Sequence, residues 1–113
     1  MHELGYAVEI VSTLEDYMKK EMLSEIQTVT LIVGEATGIV PHYMMDCWPA
    51  ATENTKLAKT ELRIDFKNAI GQCQKCDEEY VVSKTHGRCP KCGSEDYTML
   101  SGYEFEITEI LAK

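Results

Sequence analysis

The sequence predicts an α+β fold, with two helices packed on a three-stranded sheet and a four-cysteine module inserted before the last strand. Three observations predict it. An apolar stripe at helical spacing opens the chain, two later segments alternate apolar and charged residues, and a pair of CxxC units stands between those segments.

The first helix is predicted over residues 3–23, where Ala7, Ile10, Val11, Leu14 and Met18 share one face. Glu9, Glu15, Asp16, Lys19 and Lys20 lie mostly off it. Residues 26–34 are apolar and β-branched, with Val29, Leu31 and Val33 alternating, and read as a strand. Gly34 and Gly38 then mark a loop. Pro41 suits the first turn of a second helix running to Thr52, which should bury some of Tyr43, Met44, Cys47 and Trp48. A strand follows over 60–66, with Leu62, Ile64 and Phe66 opposed to Glu61, Arg63 and Asp65. The last strand is predicted over 103–111, with Tyr103, Phe105 and Ile107 opposed to Glu104, Glu106 and Thr108. The expected division is an α+β domain of residues 1–70 plus 100–113, with residues 71–99 as the inserted metal-binding module.

Charge and composition narrow the classes of function. A net charge of -8 repels phosphate backbones, and Lys75, Lys84, Arg88 and Lys91 are only scattered, so no nucleic-acid partner is expected. No apolar run approaches the ~20 residues needed to span a bilayer, so no membrane partner is expected. Glu3 and Glu9 stand where a secretory leader would have a basic start and an apolar run. The expected location is cytoplasmic, where five cysteines point to metal binding or reactivity ahead of disulfides. There is no phosphate loop, no GxSxG and no HExxH, so the chain is not expected to be an enzyme.

Cys73-Gln-Lys-Cys76 and Cys89-Pro-Lys-Cys92 stand twelve residues apart. Each CxxC turn aims two sulfurs at one ion, and two turns supply a tetrahedral S4 shell, the pattern of a structural, zinc-ribbon-like site. Gly93 follows the second turn, where a positive φ is often needed. Val81 and Val82 suit a small hairpin between the turns. Two disulfides and an iron site for electron transfer are the alternatives, since S4 geometry admits iron as well as zinc. Cys47, beside Trp48, reads as a small buried hydrophobe, as do Met18, Met44 and Met45 in the helices. His42 and His86 read as surface residues, Glu35 as a loop carboxylate, and Glu104, Glu106 and Glu109 as a solvated strand face.

The chain opens Met1-His2-Glu3. A histidine in second position can chelate through its imidazole, its amide nitrogen and the terminal amine, with the Glu3 amide as a fourth in-plane donor. Such a planar nitrogen set suits Ni(II) or Cu(II), whereas a solvated terminal histidine is the plain alternative.

Met1-His2-Glu3-Leu4, Gly34-Glu35, Gly38-Ile39-Val40-Pro41, the paired CxxC units and Leu100-Ser101-Gly102-Tyr103-Glu104-Phe105 together resemble the HypA/HybF family, in that family's order. The resemblance extends over nearly the whole chain. It implies a nickel metallochaperone for maturation of nickel–iron hydrogenase, with Ni(II) as transient cargo at His2 and structural Zn(II) at Cys73, Cys76, Cys89 and Cys92. It further implies a HypB-type GTPase and the precursor of the hydrogenase large subunit as partners. The chain departs from the family at Tyr43-Met44-Met45-Asp46-Cys47-Trp48, where a Phe-rich helix is common, and at Asn54-Thr55, where Gly-Thr is common.

Overall fold

The computed structural model describes residues 2–112. It builds two bodies, in the order helix α1 (Glu3–Lys20), strand β1 (Ile26–Gly34), a 3-10 turn (Glu35–Thr37), helix α2 (Pro41–Thr52), strands β2 (Glu61–Lys67), β3 (Ile70–Cys73) and β4 (Glu79–Val81), a second 3-10 turn (Val82–Lys84), and strands β5 (Tyr97–Ser101) and β6 (Phe105–Ala112). One sheet has the order β2-β1-β6 and the other β4-β3-β5. The radius of gyration is 17.6 Å, against about 13 Å for a compact domain of this length, and the molecule measures 54 × 26 × 16 Å. It is elongated, with the bodies end to end along the chain's two crossings between sheets.

In the larger body β1 is central, parallel to β2 and antiparallel to β6. Leu62, Val29 and Ile110 form one row across the sheet; Ile64, Leu31 and Ile107 form the next. Phe66, Val33 and Phe105 form the third. These rows meet Ala7, Ile10, Val11, Leu14 and Met18 of α1 and Met44 and Trp48 of α2 in one core. The Trp48 indole N–H donates to the Thr60 carbonyl at 2.9 Å, tying α2 to the start of β2.

Two irregularities shift the alternation that the sequence predicts. Between Thr30–Glu109 and Leu31–Ile107 the ladder skips Thr108, so Ile110 turns inward where strict alternation would place Glu109. A second shift, between Ile26 and Thr28, lets Ile26 and Val29 both face the core. Tyr103 does not join the buried face: it precedes β6 and is 64% exposed. Phe66, at the end of the third row, is 45% exposed, because the helices begin at that edge and do not cover it. Of the predicted α2 residues, Met44 and Trp48 are buried and Cys47 half-buried, while Tyr43 and Met45 are exposed. Asn54 adopts a left-handed φ of 61° just beyond α2, a conformation Asn tolerates better than other residues with a Cβ. Among the described residues, no helix is long and apolar enough to cross a membrane.

Candidate metal centre and amino-terminal site

In the smaller body the two CxxC turns are built alike. The N–H of Cys73 donates to the Glu78 carbonyl at 2.8 Å, and that of Cys89 to the Ser94 carbonyl at 2.9 Å. Four residues past each first cysteine, Asp77 and Gly93 return an N–H to the carbonyls of Cys73 and Cys89, at 3.0 and 2.9 Å. Both turns close through a positive φ, 64° at Asp77 and 77° at Gly93. Sequence reading found only the glycine, because Asp is one of the few other residues that enters this region.

The turns bring all four sulfurs within 4.8 Å of one another. Cys73 and Cys92 sulfurs lie 3.5 Å apart, as do those of Cys76 and Cys89. Tetrahedral bonds of about 2.3 Å require edges of about 3.8 Å, so the cluster already has the dimensions of an S4 shell. Disulfide bonds of about 2.05 Å do not fit these separations, and all four cysteines are free. The Lys75 and Lys91 N–H groups each point at a sulfur, of Cys73 and Cys89, at 3.4 Å.

These donors decide where negative charge settles. The N–H groups of Cys76 and Lys75, against the opposing cost of burial, pull the Cys73 thiol down to about 6. At Cys89 burial opposes ionisation, yet the N–H groups of Cys92 and Lys91 outweigh it and the thiol is again lowered. Cys73 and Cys89 thus lean toward the thiolate, the form that ligates metal, while the Cys76 and Cys92 thiols are raised. Among the described residues, this is the one His/Cys/Asp/Glu group close enough to hold an ion. His86 lies exposed in a turn at φ 54°, Cys47 sits in α2 and joins no cluster, and His42 is exposed and pairs with Asp46 at 3.3 Å.

His2 caps the amino end of α1 and is exposed; the Tyr6 N–H donates to its carbonyl at 3.1 Å. The Met1 amine expected to join it lies outside the described residues. Glu3 is only 4% exposed, and its Oε2 accepts the Val40 N–H at 3.0 Å, immediately before α2. That bond gathers the first turns of both helices at the carboxyl ends of parallel β1 and β2. The smaller body is rooted at the same edge, since β3 begins three residues after β2 ends. His2 and the cysteine cluster are therefore not one site. His2 is not among the residues whose ligand atoms gather at the cysteine cluster.

Glu35 is more than a loop carboxylate: its Oε1 accepts the Ala69 N–H at 2.8 Å, between the bodies. Glu104 likewise leaves the predicted strand face and accepts the Gly102 N–H at 2.7 Å, while Glu106 and Glu109 are exposed. No periodicity marks either contact, because both are made by residues in irregular links.

A family model described as HypA, hydrogenase/urease nickel incorporation, metallochaperone, matches residues 1–112. The hydrogenase maturation factor HypA of Chlorobium luteolum is 32% identical over 111 residues, covering 98% of this chain and 95% of that protein. That of Chlorobium limicola is 33% identical over 110 residues, covering 97% and 95%. The solution structure of the Ni metallochaperone HypA from Helicobacter pylori superposes with a TM-score of 0.67 at 19% identity, covering 99% of this chain and 97% of the other. At that identity the superposition speaks for the fold, and the sequence matches speak for the lineage. The chain belongs to the HypA family of nickel-incorporation metallochaperones.

Proposed function

We propose that this chain carries Ni(II) at its amino terminus and passes it to the large-subunit precursor of a nickel–iron hydrogenase in the cytosol, with a HypB-type GTPase as partner. His2 supplies the imidazole and its amide nitrogen, Glu3 a further amide nitrogen, and Met1 the amine. The observation that carries the reading is the solvent-exposed His2 beside a buried Glu3 whose carboxylate is fixed on Val40. A cargo site must be open to exchange, and its neighbour must hold the helix end steady. Nitrogen donors that also bind protons make the grip reversible, so affinity falls on acidification.

Cys73, Cys76, Cys89 and Cys92 would hold Zn(II), which their soft sulfur set suits and whose closed shell leaves no position for substrate. When bound, the ion supplies structure to residues 71–99, which we take as a module inserted into a nickel-binding domain of residues 1–70 plus 100–113, with the module's sheet reaching out to Ile70 and Ser101. This chain's own part is to bind, hold and release; the reading assigns it no catalytic residue.

The test is metal analysis of untagged protein beside His2→Ala after nickel loading. One nickel lost with the second metal unchanged supports both assignments. Nickel retained by His2→Ala, or by protein whose amine is blocked with a tag, would show that the cargo sits elsewhere. Visible absorbance in protein as isolated would identify the S4 metal as ferric iron, not zinc.

A further inference from the structure

Glu35 joins the two bodies while touching neither metal site. It is half-buried in the turn that follows β1. Its carboxylate accepts the N–H of Ala69, a buried residue in the two-residue link from β2 to β3. Ser83 and Lys84, both in the 3-10 turn after β4, stand near enough to the same carboxylate to help hold its pKa down. One side chain of the larger body therefore holds the outgoing link, whose Ala69 carbonyl in turn accepts the Val82 N–H at the start of the smaller body's loop.

Backbone contacts close the same junction. The Ala36 N–H donates to the Gly102 carbonyl at 2.6 Å, and the Val82 N–H to the Ala69 carbonyl at 3.0 Å. A Cβ on Gly34 would lie 2.2 Å from the Gly102 carbonyl, and one on Gly102 would lie 2.5 Å from the Ala69 Cα. The chain crosses between the bodies only at 68–69 and 102–104, and both crossings are pressed together here. Apolar packing does not set the angle between the bodies, because their buried clusters are separate. A junction held by hydrogen bonds between two bodies set end to end works as a pivot. A small rotation there sweeps the cysteine end through a wide arc.

We propose that Glu35 is a positioning residue that latches the four-cysteine body onto the amino-terminal edge of the larger one, and that handover of nickel requires the latch while nickel uptake does not. The latch rests on the geometry above; the statement on handover rests also on the proposed delivery function.

Untagged, metal-loaded full-length chain is compared as wild type, Glu35→Ala and Glu35→Gln, by residual dipolar couplings and 15N relaxation. In wild type one alignment tensor fits both bodies. In Glu35→Ala the larger body keeps its couplings, while the smaller one needs its own tensor and tumbles faster. Glu35→Gln keeps an oxygen for the Ala69 N–H and loses the charge facing Lys84, so its couplings fall between. Should Glu35→Ala not fold, Glu35→Gln is read alone, and its smaller body must still show the weaker coupling. A single shared tensor in every variant that folds would overturn the latch. Nickel uptake by Glu35→Ala matches wild type, while transfer to the hydrogenase large-subunit precursor slows severalfold. Transfer at the wild-type rate from a chain with decoupled bodies would overturn the statement on handover. Failure of the wild type to take up nickel would sink the delivery reading, leaving the coupling measurement to decide the latch.

Discussion

Leu14, Met18, Ile26, Leu31, Met44 and Leu57 are wholly buried in the larger body, inside a core that α1, α2 and three strands close together. The smaller body buries Cys73, Tyr80 and Cys89, with Cys76, Val82 and Tyr97 only half-covered against them. One body can be held by apolar burial. The other spans about thirty residues with too few apolar side chains, below the size at which a domain folds without a metal or a cross-link. Its two turns are nevertheless fully specified in backbone hydrogen bonds. They set the geometry of the sulfurs, and an ion would supply the free energy.

Removing the metal is the strongest way to break this comparison. Structural zinc contributes roughly 10–16 kcal/mol in small Cys sites, so a chelator should collapse the smaller body outright. Side-chain signals of Tyr80 and Tyr97 should lose dispersion while those of Trp48 and Leu31 persist. Dispersed Tyr80 and Tyr97 signals after complete metal removal would mean that the smaller body folds on its own. The converse lesion is Leu31→Ala, in the central strand and 1% exposed. It should cost about 2–5 kcal/mol, read by urea denaturation of the larger body, with metal content per folded chain unchanged.

A third lesion falls on the boundary. Gly34→Ala drives a methyl into the Gly102 carbonyl, against backbone that cannot turn aside. An overpacking cost of about 1–3 kcal/mol is expected, with chemical-shift changes at both Ala69 and Gly102. Shift changes confined to β1 would show that the crossings are looser than their packing implies.

How much of this was legible in the sequence follows from which forces act locally. The stripe from Ala7 to Met18 is visible because one helix face meets one core, and α1 starts where predicted. The CxxC spacing is visible because two sulfurs on one turn need only a short segment. Strand parity was legible until Thr108 broke it, and a ladder irregularity depends on the partner strand. Phe66 and Tyr103 look like core residues in one dimension, but the helices leave Phe66 uncovered and Tyr103 precedes its strand. Asp77 and Gly93 close identical turns with different residues, so only one was recognised. Pro49 lies inside α2, where its missing N–H leaves the helix intact on an exposed face, so it did not end the helix. Glu35 and Ala69 are thirty-four positions apart, and no local pattern pairs a loop carboxylate with a distant link.

The smallest expected effect is the acid dependence of that pairing. The Ala69 N–H, then the Ser83 side chain and the charge of Lys84, lower the Glu35 carboxyl below its ordinary 4.5 in the folded chain. A carboxyl whose folded value is depressed binds fewer protons folded than unfolded as pH falls. Its contribution is therefore present above 4.5 and is lost as pH drops through the lower folded value. Acid would also protonate the cysteines and expel any ion they hold, so wild type must be compared with Glu35→Gln, which carries the same four thiols. The stability difference between them should be steady near neutrality and shrink below pH 4.5. In chelated protein it should vanish at every pH, because an unfolded smaller body no longer presents Ser83, and Ala69 loses its fixed place. A difference that survives chelation unchanged would put the partners of Glu35 wholly in the larger body, and the boundary between the two would have to be redrawn.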